Sequence, residues 1–269
     1  MMQLKLIWEL IKKDWAEAFR SKQILLSTTF LPLLLALGVP VILMLSLNFA
    51  PMGSTNVGFD VFTELLPPIT SDWNQLSERA QMLIISAIFG QIFLLLVPVM
   101  IASFVSADTI VGEKERQTIE GLLILPVTDS EILLAKISST LIPVLILTSI
   151  MGILYTFIVD IITFPHLGRL YLPNLQFILV MTLFTPLLGF GTTTFVVMIS
   201  SRVSSTRDAQ QLTGFFVLPA LFLITGQLLI IFINIWLIII GIIILGVFDI
   251  LTYKLALSLF NRDKLMSQT

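Results

Sequence analysis

Glu113, Lys114, Glu115, Arg116 and Glu120 fall within eight residues, and the apolar run Leu122, Leu123, Ile124, Leu125 follows them directly. Interleaved acids and bases with an apolar step beside them do not make or break bonds. They suit recognition, in which a complementary surface is steered by charge and held by apolar contact. Arg116 and Glu120 are four apart, which places them on one face of a helix. Asp249 is the other candidate. It lies about fifteen residues into a long apolar run, where an ionisable group signals a transport pathway or a paired charge. It could equally pair with Lys254 or reach water at the end of its run. Catalytic chemistry has little to work with. There is no cysteine and one histidine, His166, which excludes thiol catalysis, disulfides and multi-histidine zinc sites. His166 is expected to be an ordinary loop residue, and neither a metal site nor a cofactor is implied. No lysine is followed by Ser or Thr, so the chain has no P-loop for ATP. The G-x-S-x-G and T-V-G-Y-G patterns are absent as well.

The elements that must position these residues are membrane helices. The chain has 269 residues, 57% hydrophobic and only 12% charged, with a mean hydropathy of +1.01. One globular core could not bury so many apolar side chains, and they come in runs rather than stripes. A spanning helix needs about 20 mostly apolar residues. Six such runs are read, at 24–47, 80–106, 131–159, 175–200, 212–233 and 235–259, giving an all-α integral membrane protein. Asn234 alone interrupts the last pair, so the turn is expected near Gly226 or Asn234, with a re-entrant hairpin as the other possibility. Residues 48–79 form the longest loop on one side, and residues 107–130 carry the charged stretch on the other.

Six spans put both termini on the same side of the membrane. All basic residues except Arg79 and Arg169 then share that side, which the positive-inside rule makes cytoplasmic, in a multi-pass protein of the cell membrane. A net charge of -2 gives no reason to expect nucleic acid as a partner. Residues 1–23 differ from the rest. Leu4, Trp8, Ile11, Trp15 and Phe19 recur every three or four residues, with Lys5, Glu9, Lys12, Lys13, Glu17 and Arg20 largely on the other side. This predicts an amphipathic interfacial helix on the lipid bilayer, although the same pattern fits a helix packed on a partner. Prolines 32, 40, 98, 143, 186 and 219 lie within spans and predict kinked helices. Thr128 and Glu131 have the spacing of a capping box at the start of the third span. The run Gly189 to Thr194 predicts close helix packing.

The stretch SADTIVGEKERQTIEGLLILPVTDSEILLAKI resembles the loop and helix start of ABC-2 export permeases, the membrane subunits of ATP-binding-cassette exporters. The matching features are GEKER, then T-x-E-x-L-L, a proline after the leucines, and E-I-x-x-x-K entering the next helix. The layout matches too: an amphipathic N-terminal helix, six spans and a charged tail at 260–265. The resemblance implies that residues 24–269 form a permease domain and that residues 1–23 are its elbow helix. It also implies that the 107–130 loop couples to a separate cytoplasmic ATPase, with Glu113, Lys114, Glu115, Arg116, Glu120, Leu122 and Leu123 in the coupling region. The pathway would be a homodimer, or a heterodimer with a homologous permease, and the chain itself would not be an enzyme. A stand-alone secondary transporter or channel would instead show inverted repeats or several deep charges, and a membrane scaffold would show neither. The cargo is left open.

Overall fold

The computed structural model describes residues 2–20, 25–49, 69–70, 72–116, 128–200, 203, 205–209, 211 and 235–259. The fifth expected span, its junction with the sixth, most of the 48–79 loop and the charged tail lie outside the described residues. Five described helices are long and apolar enough to cross a membrane: Thr28–Phe49, Glu78–Ala107, Ser130–Leu167, Leu175–Ser200 and Ile235–Ser258. We label the helices α1 (Met2–Arg20), α2 (26–49), α3 (Glu78–Ala107), α4 (Asp129–Leu167), α5 (175–200) and α6 (Ile235–Leu259).

Helix α3 is the axis of the bundle. It is apolar around its whole circumference rather than striped, as expected of a helix surrounded by others. About 78% of its most apolar window is buried, against 17% for α6. Leu83, Ala87, Leu94, Val97 and Ile101 of α3 pack with Ala36 and Met44 of α2 and with Val144, Met151 and Tyr155 of α4. A second face, through Ile84, Ile88 and Leu95, meets Val180 and Phe184 of α5 and Ile238 of α6. Close approach depends on Gly90, where a Cβ would collide with the Tyr155 hydroxyl. That hydroxyl donates to the Ala87 carbonyl.

The expected kinks take a particular form. Wide π-helical turns occupy Leu26–Phe30, Leu34–Gly38 and Val180–Phe184. Each contains the residue four before a proline: Thr28 before Pro32, Ala36 before Pro40, Thr182 before Pro186. Proline cannot donate the bond to that residue, and its ring crowds the preceding turn. Widening the turn relieves both problems without ending the helix. Pro98 and Pro143 sit in regular α-helix.

Helix α4 is longer than the 131–159 expectation. Its start is as read, with both halves of the capping box made: Thr128 N donates to Glu131 Oε2 at 2.7 Å and Glu131 N to Thr128 Oγ1 at 3.3 Å. Its end runs eight residues further, through Pro165 to Leu167, and Gly168 closes it at φ 66, a left-handed cap that favours glycine. His166 is therefore in the last helical turn, not in a loop, and its Nε2 lies 2.7 Å from Asn48 Oδ1 on α2. The chain turns back because Asp160 Oδ1 accepts from the amides of both Tyr171 and Leu172, each at 2.9 Å. Arg169 adds an ion pair to Asp72 at 2.7 Å. Asp160→Ala is expected to cost about 1.5–3 kcal/mol locally, the usual worth of hydrogen bonds to a charged group. Faster hydrogen exchange at residues 168–174 would report it, and unchanged exchange would refute it.

Candidate functional site: an ion-pair junction at one end of the bundle

Helix α1 does not stand clear of the spans. Leu10 is buried against Ile132, Leu133 and Ala135 of α4, with Val197 of α5 and Ala256 of α6 in the same cluster and Ile7 packed against it. Trp15 donates its indole N–H to the Ser139 carbonyl of α4 at 2.8 Å. The docked face is rotated from the predicted stripe. Trp8 is 44% exposed, while Asp14 is 6% exposed and points inward.

Lys136 of α4 draws Asp14 in. Its ammonium, 0% exposed, donates to Asp14 Oδ1 at 2.8 Å and pairs with Glu113 Oε1 at 3.1 Å. Glu113, 1% exposed, also receives Lys13 Nζ at 2.6 Å. Two acids and two bases thus close on each other where three segments meet: α1, the residues after α3, and the first turns of α4. Ions removed from water this completely persist only when paired and hydrogen-bonded.

A second, more exposed layer adjoins the first. After α3 a wide turn, Asp108–Gly112, leads into the short helical piece Glu113–Glu115. Arg116 then reaches Glu17 Oε2 of α1 at 2.7 Å and Asp108 Oδ1 at 3.0 Å. Gly112 leaves room for this, because a Cβ there would lie 2.5 Å from Asp108 Oδ1. Glu115 turns the other way and accepts from the Thr206 amide at 2.8 Å and from its hydroxyl at 3.2 Å. The segment after α5 is thereby tied to the segment after α3.

Burial pushes the Asp14 carboxyl above the ordinary carboxylate range, although the Lys136 ammonium opposes it. Burial likewise raises Asp108, with Arg116 opposing. For Lys13, burial acts downward, yet the pairing with Glu113 prevails and the ammonium is raised. An acid raised by folding binds its proton more tightly folded than unfolded, so its contribution is complete at acid pH and fades as pH climbs through the raised value. The docking of α1 is therefore expected to loosen from the ordinary carboxylate range upward. Hydrogen exchange of residues 2–20 should show this slope in wild type and a flatter one in Asp14→Asn. Equal slopes would contradict it.

Of the residues singled out in sequence, Glu113, Glu115 and Arg116 come together here. Only the backbone of Lys114 is described. Glu120, Leu122 and Leu123 lie outside the described residues. Asp249 is far along the chain on α6, 4% exposed, with neither carboxylate oxygen hydrogen-bonded; the pairing with Lys254 is not made. Asp14, Lys136, Glu17, Asp108 and Thr206 were missed. Lys136 carried a usable signal, since a lysine two turns into an apolar run needs an acid, and Asp14 is the acid of α1 nearest its apolar side.

A bundle of long apolar helices with an ion-paired amphipathic helix packed across one end is the architecture of a multi-pass membrane protein. The family model for ABC-2 family transporter protein matches residues 8–261, so the chain belongs to that family. No curated protein and no solved structure matches it.

Proposed function

We propose that the chain is the permease subunit of an exporter, driven from the cytoplasm by a separate ATPase and forming its pathway with a second permease subunit. The junction centred on Lys136 carries this reading. A cytoplasmic motor can move a transmembrane path only if its contact surface is rigidly joined to the spans. Here the segment after α3 is fastened to α1 by Glu113–Lys13 and Arg116–Glu17. It is fastened to α4 by Glu113–Lys136, and to the segment after α5 by Glu115–Thr206. Force applied at residues 113–125 therefore reaches three spans at once. Glu113 belongs to the fastening alone. Glu115 and Arg116 serve both roles, and with Lys114, Glu120, Leu122 and Leu123 they supply the surface that the ATPase meets. On this reading the α1 end is cytoplasmic, both termini lie there, and the protein resides in the cell membrane. Six spans, with the fifth at 212–233, complete the subunit.

Affinity purification of the tagged full-length chain from its native membranes tests the reading. The expected result is co-elution of a P-loop ATPase, lost on deletion of residues 3–20 while the spans still insert. A folded wild-type chain that elutes without ATPase activity would overturn it.

A further inference from the structure

Asp249 has no place in the junction, and its surroundings are unlike those of any other acid in the described structure. It sits midway along α6, inside a membrane-spanning segment, with 4% of its surface exposed and both carboxylate oxygens free of hydrogen bonds. Gly191 of α5 faces it so closely that a Cβ at 191 would collide with Oδ1. No cation faces it. Helix α5 has no ionisable residue between 175 and 200. On α4, Lys136 is committed to Asp14 and Glu113, and the Tyr155 hydroxyl donates to Ala87. On α6 itself, Tyr253 packs its ring on Phe190, and Lys254 is exposed.

An ionised carboxylate in such a place would forfeit its hydration with nothing in return, and a group so placed takes up a proton instead. A metal ion would need several oxygen ligands around it. No group of three acidic or histidine side chains able to hold one occurs among the described residues. Both helices are regular at this level, so no unwound turn offers carbonyls to an alkali ion. The Thr252 hydroxyl donates to the Asp249 backbone carbonyl, not to its carboxylate.

We propose that Asp249 is an intramembrane proton-binding site whose neutral form closes the seam between α5 and α6. Binding converts the carboxylate and one H+ to a carboxylic acid, and no other bond changes. The neutral acid fits against the bare Gly191 backbone. The anion requires water, so losing the proton parts the two helices. Proton occupancy thereby selects between a sealed and a hydrated arrangement of α5 and α6. The inference stands independently of any ATPase partner.

The test is infrared difference spectroscopy of the full-length chain in phosphatidylcholine nanodiscs, wild type against Asp249→Asn. At neutral pH the wild type should show a carboxylic acid C=O band that the variant lacks, unchanged by sodium or potassium chloride. Gly191→Ala should shift that band, which keeps the test open if the Asn variant fails to insert. Raising the pH until the band disappears should speed hydrogen exchange along 185–200 in wild type and not in Asp249→Asn. A difference spectrum showing only a carboxylate stretch would overturn the proposal. So would loss of the band on adding either salt, which would make this a metal cation site, or an unmoved band in Gly191→Ala.

Discussion

Lys136→Met is expected to release the N-terminal helix. Lys136 is 0% exposed and bridges Asp14 at 2.8 Å and Glu113 at 3.1 Å, so its removal leaves two buried acids facing each other with Lys13 alone to balance them. Breaking a buried pair from one side typically costs about 3–5 kcal/mol, chiefly because the surviving charge has no partner. Methionine fills nearly the same volume, so packing losses are small and the charge effect is isolated. Protease cleavage within residues 2–20, rare in wild type, should become rapid while the spans remain protected. The combination Asp14→Asn with Glu113→Gln and Lys136→Met should recover much of the loss, since an apolar or neutral replacement of a whole network is often tolerated. If Lys136→Met leaves cleavage unchanged, the network is not what holds α1.

If residues 113–125 meet an ATPase as proposed, Glu115→Lys with Glu120→Lys is expected to separate the two. These positions lie within the proposed contact surface, and like charges brought together across an interface cost several kcal/mol. At about 1.4 kcal/mol per tenfold, a loss of about 4 kcal/mol is roughly a thousandfold in affinity. Co-purification should fail, and stimulated ATP turnover should fall with it. Thermal stability should fall by less than about 1 kcal/mol, because the Glu115 contact with Thr206 is exposed. Glu113→Lys makes the opposite control. It places a third base beside Lys13 and Lys136 in a buried site, so it should destabilise the fold before any partner is added. A double variant that binds the ATPase as wild type does would reduce these charges to loop solvation.

The helices were legible because their signal is local. An apolar run long enough to span is visible without its neighbours: 175–200 and 235–259 appear in the structure with the boundaries read from sequence. The capping box at Thr128 was equally legible, being a four-residue pattern with a definite geometry. The overrun of α4 to Leu167 was hidden because Pro165 and His166 resemble a loop, while the interactions that stabilise the extra turns come from Asn48 and Asp72, more than 90 residues away. The junction was half legible. Charge density marked Glu113 to Arg116, but Glu113 reads as a solvated residue until Lys136 and Lys13 are brought to it across the fold. The rotation of α1 was invisible for the same reason: hydropathy places Asp14 with the polar residues, and only a buried ammonium on another helix turns it inward.

Helix α4 has 39 residues and so measures about 58 Å, nearly twice the roughly 30 Å of a bilayer's hydrocarbon core. Its two ends are clamped to different parts of the molecule, one to Asp14 and Glu113, the other through Asp160 and Gly168 to the turn that starts α5. A stiff rod of that length converts angle into distance. Pivoting by about 5° around its middle swings each tip by roughly 2.5 Å in opposite directions, about half a helical turn's rise. A nudge of that size at the ion-paired tip would therefore appear, reversed and undiminished, at the far surface of the membrane, with no side chain along the way having to change its rotamer.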